Sequence, residues 1–395
     1  MVAKFKKNYV YLSFATLFFM IGIMGTRPLV PMLTGELGES VFVIGIIVSL
    51  YPLLPLFLSI YAGGIISKTG SKKPLIISTV AGAISLAIPF LVFNTFGVVL
   101  SQIIAGLSYT FFIISAQSYI GRNSYATDRD RNVMRFSMGM AIGSFIGPTI
   151  GGILADYTSN IISFLILGFF TLIAVLFIVR IKEYNIKVSK NDTFTLKQIE
   201  ILKLFRIKNF RRAILISTII LTGKDTFISF FPLLGMEMGL SSSTIGIIIS
   251  LNALAGILIR WSMPYLLNNF TISQLVTSSI FISGVLFFIM PFFNTVLFIS
   301  LISFLLGLFL GLGQPLSISV TLISLPKNSM SQGLGLRITV NRLVQVITPL
   351  LLGGTAQIFN IVSIFLITGI IFSVGAFKTS IDQRDNQSDE NEQIN

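Results

Sequence analysis

The 395 residues contain no cysteine and no histidine. The first absence rules out disulfides and thiolate nucleophiles, and the second removes the imidazole proton relay; together they delete the commonest transition-metal ligands. Any metal would have to be held by oxygen atoms or arrive already complexed, so no metal site and no cofactor are expected. Nor is there a nucleophile with a base beside it, or a phosphate-cradling glycine loop between the apolar runs, and an enzyme is not expected. Charge is the next scarcity. Asp, Glu, Lys and Arg make up 11% of the chain, against roughly 25% in an ordinary soluble domain. Hydrophobic residues reach 53% and the mean hydropathy is +0.88, so most of this chain needs lipid rather than water as its solvent.

A formal net charge of +13 would suit nucleic acid, but the basic residues fall in short gaps between apolar runs instead of on one face or arm, so no nucleic-acid partner is expected. The partner they indicate is a lipid bilayer. A helix needs roughly 20 apolar residues to cross the hydrocarbon. Runs of that length lie near 9–34, 41–66, 74–93, 97–120, 134–155 and 159–180, and again near 213–236, 243–267, 272–293, 296–324, 333–357 and 359–378. The expected fold class is an all-α membrane protein with 12 transmembrane helices in two pseudo-symmetric six-helix bundles. Its divisions are an N-terminal bundle at 1–180, a basic cytoplasmic linker at 181–212, a C-terminal bundle at 213–378 and a disordered acidic tail at 379–395. The start, Met1 to Lys7, enters an apolar stretch too long for a signal-peptide core and without a small-residue cleavage site, so the first helix is expected to stay.

Lysine and arginine resist translocation, which sets orientation. Gaps on the side of the N-terminus hold Lys4, Lys6, Lys7, Lys68, Lys72, Lys73, Arg122, Arg129, Arg131, the linker cluster, Lys327 and Lys378. Gaps on the other side hold Glu36, Glu39, Asp156 and Glu237. Both termini of a multi-pass protein of the cell membrane are therefore expected in the cytoplasm. The halves also repeat. A single offset of 201 aligns Glu36-Leu37-Gly38-Glu39-Ser40 with Glu237-Met238-Gly239-Leu240-Ser241, and Ile44 to Leu50 with Ile245 to Leu251; it also pairs Pro31 with Pro232, Gly106 with Gly307, Pro148 with Pro349 and Gly152 with Gly353. One offset held over five helices implies two bundles in parallel register about an axis normal to the membrane, with a binding site between them.

In the fifth run Gly139, Gly143, Gly147 and Gly151 recur every fourth residue, with Pro148 and Gly152 beside them. Such a stripe makes one helix face smooth and lets a neighbouring backbone approach closely. The pattern resembles the glycine motif of exporters of the major facilitator superfamily, G-x3-G-P-x2-G-G, and the resemblance implies outward transport. Between the second and third runs, Gly63-Gly64-Ile65-Ile66-Ser67-Lys68-Thr69-Gly70-Ser71-Lys72-Lys73 is similar to that superfamily's cytoplasmic loop, with Ser67 where the family carries a gating aspartate. Gln102-Ile103-Ile104-Ala105-Gly106 matches the fourth-helix motif without its arginine, the one linked to proton coupling in the family's drug antiporters. The chain also resembles the opine-metallophore, staphylopine-type exporters of the same superfamily.

A charge near the bilayer centre costs roughly 3 kcal/mol on insertion scales, so each needs a cavity, a partner or a role. Arg27, Lys224, Asp225, Arg260 and Arg342 qualify, four cations against one carboxylate, and they favour an anionic or zwitterionic solute. Asp225 is the candidate proton-coupling carboxylate. Lys224 and Asp225 point roughly 100° apart on a helix, so partners on other helices are expected for each. Two readings stand for three arginines. Arg27 serves a solute or snorkels to the headgroups, Arg260 contacts solute or gates, and Arg342 contacts solute or forms a hydrogen-bond cluster with Asn341 and Gln345. Arg135 and Arg337, at helix ends, are expected to be solvated anchors. Tyr51, Gln117, Asn252 and Gln314 could orient a solute, although such residues more often pack helices.

The function expected is secondary active export of a small anionic or zwitterionic solute by alternating access, driven by protons through Asp225, with an amino-carboxylate metallophore as one candidate. A broad-spectrum multidrug efflux pump stands as the alternative. A non-transporting sensor or scaffold is the alternative of another class. The protein is expected to be a monomer.

Overall fold

The computed structural model describes residues 2–125, 128–182, 204–325 and 330–379. Most of the linker and nearly all of the acidic tail, including Lys187, Lys190, Lys197, Lys203 and Arg384, lie outside the described residues, as does Lys327. Every described element is helical. That follows from the solvent, because hydrocarbon offers nothing to an unpaired N–H or C=O, and a helix satisfies its backbone within one segment.

Fourteen α-helices run through the described residues: α1 Val2–Thr26, α2 Leu29–Glu36, α3 Val41–Thr69, α4 Lys72–Leu91, α5 Thr95–Asn123, α6 Arg129–Tyr157, α7 Asn160–Arg180, α8 Lys208–Glu237, α9 Ser242–Trp261, α10 Met263–Asn269, α11 Ile272–Ile289, α12 Val296–Ile323, α13 Met330–Ile358 and α14 Ile361–Lys378. The first apolar run is two helices, with Arg27 and Pro28 in the break between them. Among the described residues, eleven segments are long and apolar enough to cross a membrane. The run at 333–357 lies within α13, whose 29 residues suffice to cross although Arg337, Asn341, Arg342 and Gln345 dilute its hydropathy.

Short polar connections set the boundaries. Ser40, Asn94 and Ser159 each cap the helix that follows, accepting from the amides of Val43, Gly97 and Ile162. Thr271 and Gln274 form a reciprocal capping box at the start of α11. The ends of α2 and α8 repeat each other. Both close on a glycine of positive φ, Gly38 at 82° and Gly239 at 74°, and both donate back across the last turn, Glu39 to Thr34 at 3.3 Å and Leu240 to Gly235 at 2.9 Å. This left-handed stop is open to glycine at little cost. The two turns lie 201 residues apart, the offset of the sequence repeat.

Packing divides the chain into two compact units, Met1–Asp192 with Phe227–Ala253 and Val346–Ile361, and Thr193–Thr226 with Leu254–Gln345 and Val362–Asn395. In the first, the glycine stripe of α6 lies on the α1 backbone. A β-carbon at Gly143 would stand 2.8 Å from the Leu17 carbonyl oxygen, one at Gly147 2.9 Å from the Gly25 nitrogen, and one at Gly151 2.5 Å from the Gly25 oxygen. In the second, Phe287 and Phe372 close on Gly223 of α8, and Ile220 fills the space over Gly313 of α12.

Candidate functional site

In the first unit, the break between α1 and α2 carries the charge. Proline after Arg27 brings no backbone N–H to continue α1, and the Arg27 guanidinium carbon sits 4.6 Å from the centre of the Tyr51 ring. Tyr51 is 4% exposed. It is held from behind by Gly106 of α5, where a β-carbon would strike the Tyr51 carbonyl, and from the side by Tyr109 at 6.0 Å between ring centres. Of the two readings for Arg27, this placement favours an arginine fixed over an aromatic face rather than one reaching away to headgroups. Asn252 is buried in α9, whereas Gln117 is exposed on α5.

In the second unit, α13 presents a polar face to α8. Gln345 donates from Nε2 to Asp225 Oδ2 at 2.9 Å, and its Oε1 accepts from Arg342 Nη1 at 3.0 Å. One glutamine thus joins the carboxylate of α8 to a guanidinium of α13. Two turns toward the start of α8, Ser217 and Asn341 exchange hydrogen bonds of 2.9 and 2.7 Å. Asn341 and Arg342 therefore serve different partners, and the cluster anticipated among Asn341, Arg342 and Gln345 is two separate links. Lys224 is half-buried and lies in the electrostatic field of both Asp225 and Arg260. Gln314 is half-buried on α12, and Arg260 is exposed at the end of α9.

Arg337 is a correction. Read as a solvated anchor, it is 5% exposed and donates from Nε to Ser317 Oγ at 3.0 Å; Ser317 in turn donates to the Ala213 carbonyl at 3.2 Å. A helix-end position in sequence does not reveal that α8 and α12 close over it. Arg135 is half-buried and donates to Asn132 at 3.4 Å. Sequence reasoning also gave no role to Gln345 toward Asp225. The one signal was its spacing, since Arg337, Asn341 and Gln345 recur every fourth residue along α13.

The arrangement brings a carboxylate, an amide and a guanidinium into one chain of contacts inside an apolar helix bundle, where a charge-assisted hydrogen bond is strong and an unpaired charge is costly. A proton on Asp225 would weaken its bond from Gln345 and so alter the hold on Arg342.

Comparison with known proteins places these helices. The family model described as Major Facilitator Superfamily matches residues 12–349. An uncharacterized MFS-type transporter of Bacillus subtilis, YuxJ, is 24% identical over 343 residues, covering 84% of this chain and 86% of its own. Multidrug resistance protein 1 of Bacillus subtilis is 26% identical over 254 residues, 64% of this chain and 65% of its own. Among solved structures, the nucleoside transporter NupG superposes with a TM-score of 0.78 at 18% identity, covering 94% of this chain and 98% of that one. A POT family transporter in complex with 5-aminolevulinic acid gives 0.75 at 14% identity, covering 93% and 94%.

Proposed function

This chain belongs to the major facilitator superfamily, and we propose that within it the protein is a proton-coupled exporter of a small zwitterionic solute of the amino-carboxylate kind, working by alternating access in the cell membrane with both termini cytoplasmic. The observation that carries the proposal is the chain of contacts from Asp225 through Gln345 to Arg342. A zwitterion can satisfy both ends of it, its ammonium on Asp225 and its carboxylate on Arg342 or Lys224. Protonating Asp225 removes the ammonium's counter-charge while leaving the cations, so a proton and the solute compete for one carboxylate. Competition of that kind exchanges an entering proton for a leaving solute. Outward direction rests on the glycine stripe from Gly139 to Gly152 and its resemblance to the exporter motif. An amino-carboxylate metallophore fits this charge pattern, its metal arriving already complexed.

A broader reading, multidrug efflux, is favoured by the likeness to Multidrug resistance protein 1. Efflux from proteoliposomes under an imposed proton gradient separates the two. Asp225→Asn is expected to lower gradient-driven efflux of zwitterionic amino-carboxylates at least tenfold while cationic dyes stay unmoved in either protein. Gradient-driven movement of dyes together with a silent Asp225→Asn would overturn the coupling assignment and leave the multidrug reading.

A further inference from the structure

A groove of about 350 Å³ opens on the surface of the first unit where α3, α4 and α5 meet, near the end at which α3 stops and α4 begins. Its walls include Ile65, Ile77, Ala81, Leu107 and Phe111, with Lys73 at its mouth. Three hydroxyls line it and all are turned away. Thr69 donates to the Ile65 carbonyl at 2.9 Å, Ser78 to the Leu75 carbonyl at 3.1 Å, and Ser108 to the Ser78 carbonyl at 2.6 Å. What they show the groove is hydrocarbon. Lys73 is exposed, and among the described residues no hydrogen bond or ion pair engages it; its neighbour Lys72 is committed to the Val179 carbonyl at 2.8 Å.

We propose that this groove seats an acyl chain of an anionic glycerophospholipid whose phosphate lies on Lys73. The surroundings are the first argument. Ile77 is 68% exposed, and Phe57, Tyr61 and Ile84 extend the exposed apolar surface along α3 and α4, which in a membrane-spanning bundle is a face offered to lipid. Charge is the second. The cation sits at the headgroup end, beside Lys68 and Lys72, on the side of the chain that carries most of the lysine and arginine. Dimension is the third. The eight helical steps from Lys73 to Ala81 rise about 12 Å, close to the ~15 Å depth of one hydrocarbon leaflet. A zwitterionic headgroup carries its own cation beside the phosphate, which competes with and repels the Lys73 ammonium, so the site selects for net negative lipid.

Occupancy can be read by fluorescence, because Trp261 is the single tryptophan. In a Trp261→Phe, Phe111→Trp protein reconstituted in nanodiscs, brominated phosphatidylglycerol is expected to quench about fivefold more effectively than brominated phosphatidylcholine. That ratio is what about 1 kcal/mol for one lysine near an anionic surface amounts to. Lys73→Gln is expected to bring the two lipids to parity, and Lys73→Arg to keep the preference. Ala81→Trp, which fills the groove, is expected to abolish selective retention of phosphatidylglycerol over phosphatidylcholine in native mass spectrometry of the protein with Phe111 intact. Equal quenching by both lipids, or a preference that survives Lys73→Gln, would overturn the proposal. So would displacement of both lipids by an uncharged apolar solute, which would make the groove a solute portal instead.

Discussion

Two helix crossings in the first unit are built to one plan and finished differently. Where α9 meets α6, a β-carbon at Gly246 would strike the Pro148 carbonyl and one at Gly152 the Ser242 carbonyl. Where α3 meets α13, a β-carbon at Gly45 would strike the Pro349 carbonyl, and one at Gly353 would stand 3.0 Å from the Val41 carbonyl. Each residue of the first set is the second set's partner displaced by 201, so a duplicated pair of smooth surfaces holds backbone against backbone. The polar finish is not duplicated. At the α6–α9 crossing the Asp156 carboxylate accepts from the Ser242 and Ser243 amides at 2.8 and 2.9 Å, and Thr149 donates from its hydroxyl and its amide to Ser250 Oγ at 2.8 and 3.1 Å. Across the repeat those positions are Gln357, Leu350 and Ser49, and Ser49 turns its hydroxyl to the Ile46 carbonyl of its own helix at 2.6 Å. Close packing is thus common to both crossings, whereas a polar clasp secures only the α6–α9 crossing.

The common plan should break first. Gly246→Leu and Gly45→Leu each drive a side chain into a facing backbone that has no room to give, at about 1–3 kcal/mol. Both are expected to cut transport at least tenfold and to lower the melting temperature in detergent by similar amounts; a tolerated change at either glycine would show that the crossing there is not required. The clasp should break next, and on one side alone. A carboxylate at a helix N-terminus contributes about 0.3–1 kcal/mol. Because the chain has no cysteine, single cysteines report opening directly. Asp156→Asn is expected to raise maleimide labelling of Ile249→Cys about threefold, while Gln357→Ala leaves labelling of Leu352→Cys unchanged. Equal responses would erase the distinction between the crossings.

The shared part of this design was legible in the sequence, and the unshared part was not. Glycine and proline keep their identity across a repeat when the backbone they admit must stay close, so Pro148 with Pro349 and Gly152 with Gly353 stood out at one offset. Two six-helix bundles followed from the same regularity together with the apolar runs, and the resemblance to the major facilitator superfamily rested on the glycine motif from Gly139 to Gly152. A clasp made by Asp156 depends on which helix N-terminus happens to lie before it, and nothing in the order of residues names that helix. The same holds for the site. Asp225 and Arg342 were visible as charges in apolar runs, but that Gln345 joins them depends on the rotation of α13 against α8. Arg337 misled for a related reason, because burial at a helix end is decided by Ser317 and Ala213 on other helices. Arg27 was legible as a charge, yet the break that holds it was hidden inside a run apolar enough to pass as one helix.

The smallest effects belong to the hydroxyls, and they offer a way to sharpen the comparison by transplanting the difference. An interhelical hydrogen bond inside a membrane protein averages about 0.6 kcal/mol, so Ser250→Ala is expected to raise labelling of Ile249→Cys about two- to threefold. Ser49→Ala, which loses a bond made within its own helix, is expected to leave Leu352→Cys unmoved. Leu350→Thr then places a hydroxyl at the position that repeats Thr149. If the backbone plan of the crossings is as alike as their glycines indicate, that threonine finds Ser49 as Thr149 finds Ser250, Ser49 leaves its own carbonyl, and labelling of Leu352→Cys falls by the same two- to threefold. The gain must vanish in the double variant Leu350→Thr, Ser49→Ala, since the bond needs both partners. A fall that persists without Ser49 would mean that volume at position 350 governs this crossing, and that the two sides differ in packing as well as in polarity.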